Sequence, residues 1–139
     1  MKTLISFNAA TQLSILLFAL VILFHAAILV GIIFFDYAPI DFLWGGRMKT
    51  PEELLVFEIL SLIVSSFCLV VVLIKSDRLR VPSLKRMSGF ILWVLFILFL
   101  LNTVGNIFAK TSFEKLFSIV TIALAILCLR LAMEKESST

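Results

Sequence analysis

Among the polar side chains within otherwise apolar stretches of this sequence, His25, Glu58, Asn102, Asn106, Ser118 and Thr121 are the ones that could do chemistry together. Hydrocarbon penalises such groups unless they find partners, and it penalises a carboxylate most. Glu58 is costly there as a lone charge, so it calls for a proton or a cation, and His25 or Lys110 can supply one. A Glu–His pair beside amides and hydroxyls makes a proton or cation site. Asn102 and Asn106 stand four apart, with Gly105 between them, so both amides share one helical face. The bland alternative is interhelical hydrogen bonding, with Glu58 bonded to Asn102, at about 0.6–2 kcal/mol per bond in a bilayer. A second alternative has Glu58 held by its helix N-terminus and reaching outward. One His without clustered Cys or carboxylates falls short of a metal ligand set. No metal and no cofactor are expected.

Composition says what must position these groups. The 139 residues are 62% hydrophobic, with 14 Phe and only 15% charged residues. An ordinary soluble domain is about 45–50% apolar, and a chain this short has too little interior to hide the excess. The class is therefore an all-α integral membrane protein. Four segments, at 12–35, 54–74, 90–109 and 116–133, are long enough to cross a ~30 Å hydrocarbon core. The first has too long an apolar run for a signal peptide and no small-x-small cleavage site before Asp36, so it reads as a retained helix. One transmembrane domain over 1–139 is expected, an antiparallel up-down-up-down four-helix bundle with a loop at 36–53 and a basic loop at 75–89.

In that arrangement the polar groups fall in one layer. At 1.5 Å per residue, His25, Glu58, Asn102, Asn106, Ser118 and Thr121 all lie within roughly 5–15 Å of the boundary nearest the 36–53 loop. The faces agree. Glu58, Ser61, Ser65 and Cys68 repeat at helical spacing, as do Ser118, Thr121, Ala125 and Cys128. Such seams of small and polar residues pack against neighbouring helices.

Lys and Arg set the topology. The side holding both termini and the middle loop carries eight: Lys2, Lys75, Arg78, Arg80, Lys85, Arg86, Arg130 and Lys135. The other side carries four, namely Arg47, Lys49, Lys110 and Lys115. The termini are expected to be cytoplasmic in a plasma (inner) membrane. Lys75, Arg78, Arg80, Lys85 and Arg86 would meet anionic headgroups at about 1 kcal/mol each. The net charge of +3 thus reflects topology, and no nucleic acid is expected as a partner.

The 36–53 loop is aromatic. Tyr37 and Trp44 suit one interface and Trp93 the other. Gly45-Gly46 allows a sharp turn. Thr50-Pro51-Glu52-Glu53 reads as a capped helix start, with Glu53 completing a capping box. Trp44, Gly45, Gly46 and Arg47 therefore form either a lid over the helices or an anchor with a turn. Cys68 and Cys128 share no C-x-x-C spacing and read as packing residues. No nucleophile elbow, P-loop, dinucleotide fingerprint or zincin motif occurs, so no catalytic signature is present.

The stretches Leu-Trp-Gly-Gly-Arg at 43–47 and Leu-Asn-Thr-Val-Gly-Asn at 101–106, continuing to Ala109-Lys110-Thr111, carry a resemblance. They resemble a group of short bacterial four-span membrane proteins of unknown function, and this likeness implies no activity. The small multidrug transporters are not matched, because the first segment holds His25 and no carboxylate. The small fluoride channels and the quinone-reducing disulfide-forming proteins are not matched either. Three classes stay open. One is an accessory or structural membrane protein, as a homo-oligomer or part of a larger complex. Another is a small transporter or channel using Glu58 and His25. The third is a lipid- or quinone-binding protein.

Overall fold

A computed structural model describes residues 4–134, and every regular element among them is helical. The α-helices are α1 (Phe7–Phe35), α2 (Pro51–Lys75), α3 (Pro82–Ile107) and α4 (Ser112–Ala132). A 3-10 turn, Trp44–Gly46, interrupts the long link between α1 and α2. All four α-helices are long and apolar enough to cross a membrane. The chain is a small multi-pass membrane protein by that measure. Lys2 and Lys135, used above for topology, lie outside the described residues.

Caps rather than hydropathy set the helix starts, so the helices outrun their apolar segments. α1 begins at Phe7 rather than 12, because the Ser6 hydroxyl accepts from the Ala9 N–H at 3.1 Å. It ends at Asp36, whose backbone is left-handed (φ 50°), while the Tyr37 N–H returns to the Gly31 carbonyl at 3.0 Å. Thr50 caps α2 by accepting from the Glu53 N–H at 3.2 Å, with Pro51 in the first turn. The Glu53 carboxylate reaches back to the Lys49 N–H at 2.8 Å, where a capping box would use Thr50. Thr111 caps α4 in the same way, accepting from the Glu114 N–H at 3.3 Å.

The basic segment departs most from expectation. It is not a loop over 75–89. Lys75 closes α2, and α3 starts at Pro82, directly after Val81. Lys85 and Arg86 ride on the first turns of α3. Lys75 is 6% exposed, and its ammonium donates to the Glu134 carbonyl at 3.1 Å. It is thus turned inward and does not stand among the headgroup-facing charges. Gly89 makes room for it, since a Cβ there would come within 3.3 Å of the Lys75 Nζ.

α1 packs on α2 and α4, and α3 packs on the same two helices. The tightest pairs are α1 with α2 and α3 with α4. The packed core joins Ala10 and Phe18 of α1, Val72 of α2, Leu92 of α3, and Leu124 and Leu131 of α4. These come from the first halves of α1 and α3 and the second halves of α2 and α4. The core therefore sits at the end where Lys75, Arg78, Arg80, Lys85 and Arg86 cluster, the basic end. Straps tie that end further. The Arg130 guanidinium donates to the Ile5 carbonyl at 2.8 Å, pairs with Glu134 at 2.7 Å and lies over the Phe7 ring. Large apolar side chains elsewhere, such as Phe90, Ile97 and Leu101, point outward, as a lipid-facing surface requires.

Candidate functional site

At the other end, where the 36–50 link crosses, the helices leave space between them. A cavity of about 360 Å³ lies there. His25 from α1, Glu58 from α2, Asn102 and Asn106 from α3, Thr121 from α4 and Trp44 from the link all line it. The structure thus gathers six of the residues that the sequence singles out. Four others fall outside the lining. Ser118 spends its hydroxyl on the Lys115 carbonyl of its own helix at 2.6 Å. Gly45 and Gly46 shape the link, and Arg47 is exposed.

Glu58 is the centre of the arrangement. It is 1% exposed, and both its oxygens are engaged. Oε2 lies 2.6 Å from His25 Nδ1, within hydrogen-bond distance. Oε1 accepts from the Trp44 indole N–H at 2.9 Å. The bond between Glu58 and Asn102, one of the alternatives above, is not formed, and Glu58 meets His25 and Trp44 instead. Asn102 is exposed and Asn106 half-buried, and neither amide has a protein partner among the described residues. Thr121 instead pairs with Thr103, hydroxyl to hydroxyl at 2.9 Å, joining α3 to α4 in a buried bond.

Trp44, Gly45 and Gly46 all have positive φ, at 54°, 70° and 64°. Two glycines accept this conformation readily, whereas Trp44 carries a cost of about 1–2 kcal/mol. Its contacts offset that cost. Besides the bond to Glu58, its ring packs on Phe57 at 5.2 Å. The neighbouring Gly45 N–H donates to the Glu114 carboxylate, which also accepts from the Thr111 hydroxyl at 3.0 Å. The link is therefore pinned over the cavity by two carboxylates, one from α2 and one from α4. Trp44 borders the cavity while remaining 38% exposed.

Sequence reasoning passed over Glu114 and Thr103. The signal for Glu114 was present as Thr111-Ser112-Phe113-Glu114, a capping-box pattern that also starts α4 at Ser112 instead of 116. Thr103 had no signal beyond lying between the two Asn residues. Phe24, Phe113 and Phe117 complete one wall, with ring centroids 5.1–5.8 Å apart. Cys68 also lines the cavity, and both cysteines are free and buried. No cluster of three or more metal-ligating side chains occurs among the described residues. Leu60 and Val64 of α2, which line the cavity, are 55% and 48% exposed, and Asn102 of α3 is exposed as well.

Fold and site together describe a small membrane protein with one end packed and the other hollow and polar. Comparison with family models, curated proteins and solved structures found no match, so the likeness carried by residues 43–47 and 101–111 rests on those motifs alone.

Proposed function

We propose that this protein binds an apolar-bodied molecule drawn from the bilayer, holding its polar head in the hollow half. One observation carries the reading. Polar side chains from all four helices and the link border a single open cavity, and the Asn102 and Asn106 amides stand beside it without a protein partner among the described residues. Interhelical glue alone would leave no such space, and unfilled volume weakens packing. A largely apolar cavity with a few convergent polar groups is the usual form of a ligand site. The exposed lining residues Leu60, Val64 and Asn102 suit a lipid-soluble ligand, which would enter sideways past them.

The same reading takes the chain as a single antiparallel up-down-up-down bundle, multi-pass in the plasma (inner) membrane with its termini cytoplasmic. Positive charge at the basic end supports that orientation. Arg78, Arg80, Lys85 and Arg86 would face anionic headgroups there. A second reading, a proton- or cation-coupled transporter, is favoured by the 2.6 Å His25–Glu58 pair. It would require the packed basic end to open, or a second copy of the chain to provide a path. An accessory role within a homo-oligomer or a larger complex is compatible with ligand binding and has no separate observation in its favour.

The test is mass spectrometry of small molecules that co-purify with the protein and with Val64→Trp, which narrows that route. A lipid-soluble species present with the first and depleted with the second is the expected result. The same species in equal amount with both, or none with either, would overturn the proposal.

A further inference from the structure

The charge of the cavity wall narrows the ligand. We infer that the head it accepts is cationic, an ammonium or guanidinium group on an apolar body. The inference rests on the cavity reading above and deepens it. Two carboxylates, Glu58 and Glu114, line the space, and no Lys or Arg does. An anionic head, whether phosphate or carboxylate, would meet like charge in a poorly screened setting. Aromatic rings supply the complement, since Phe24, Phe113, Phe117 and Trp44 offer π faces of the kind that hold organic cations. The free amides of Asn102 and Asn106 offer carbonyl oxygens to N–H donors. Each Glu58 oxygen has one partner and keeps lone-pair capacity for another.

The Trp44 indole adds a signature, because it donates to Glu58 at the cavity wall. The titratable groups around the site are His25 on α1, Cys68 on α2 and Glu114 on α4. From α3 come only the two amides, and from the link only the Trp44 indole. Reaching Glu58 means moving that indole, so Trp44 emission reports the event.

The experiment uses full-length Trp93→Phe protein, in which Trp44 is the sole tryptophan, in nanodiscs of zwitterionic lipid. Three probes with one tail are titrated: dodecyltrimethylammonium, dodecanol and dodecyl phosphate. Trp44→Phe protein, reporting through Trp93, measures simple partition. The expected result is a saturable change with the ammonium at concentrations where dodecanol and dodecyl phosphate give none. Glu58→Gln should weaken it by about tenfold or more, the loss of roughly one charge contact. Should Glu58→Gln fail to fold, Glu114→Gln serves, weakening the ammonium and sparing dodecanol. If dodecanol or dodecyl phosphate binds as tightly as the ammonium, the cationic inference is overturned and the cavity reading stands. If no probe gives a saturable change, both fall together.

Discussion

At the basic end Phe18, Val72, Leu92 and Leu124 close on one another, and Lys75 and Arg130 tie the helix ends together. At the loop end the same four helices, hardly less apolar in sequence, stand around a cavity of about 360 Å³. The difference lies in what fills the centre. One end puts Leu, Val and Ala there. The other puts a carboxylate, an imidazole and amides, which must be solvated, paired or liganded. Polar groups that face each other across a gap hold helices apart as readily as they join them. The hollow end keeps its shape through a pinned link instead of a filled core.

The sharpest way to break this contrast is truncation at each end. Phe18→Ala should cost about 3–5 kcal/mol of unfolding free energy in mixed micelles. Leu60→Ala beside the cavity should stay within about 0.5 kcal/mol. Equal costs would mean that the two ends are packed alike. His25→Leu leaves a buried Glu58 oxygen without its partner and should cost about 1–3 kcal/mol. Adding Glu58→Gln to it should recover part of that loss in a double-mutant cycle. Simple addition of the two costs would show that the pair is not coupled.

Trp44→Phe removes a donor from a buried carboxylate, at about 1–3 kcal/mol. The loss should be local. Amide hydrogen exchange should accelerate across residues 37–49 and stay unchanged around Val72. Acceleration that spreads to Val72 would make the link part of the core. The smallest effect is expected from Thr103→Val, which removes the buried hydroxyl pair with Thr121. About 0.6–2 kcal/mol is the range for such bonds between membrane helices. Unchanged stability would leave α3 and α4 joined by apolar packing alone.

Much of this was legible in the residues. Apolar runs placed the four helices, and residue rise placed His25, Glu58, Asn102 and Asn106 at one depth. Depth is a one-dimensional property, and sequence carries it directly. Volume is not. Nothing local in the chain says that the groups at that depth surround a space instead of touching. Trp44 illustrates the same limit. It lies in a link whose course depends on three successive left-handed residues, so its bond to Glu58 is a tertiary fact. The buried position of Lys75 was also invisible, because it depends on Gly89 and the end of α4 meeting at that point. The early start of α3 at Pro82 was legible in principle. Hydropathy ignores a charged first turn, while a proline in the first turn announces it.

The bond from Arg130 to the Ile5 carbonyl spans 125 residues of chain. Its two ends leave the ribosome at opposite stages of synthesis. While α2 and α3 are being inserted, α1 waits in the bilayer with Phe24 on a face that Phe113 and Phe117 of α4 have yet to cover. Helix insertion and helix assembly are thus separated in time for this chain. Neither its packed end nor its cavity is complete until the last span arrives. That delay makes α1 the part of the nascent chain most open to capture by other membrane proteins.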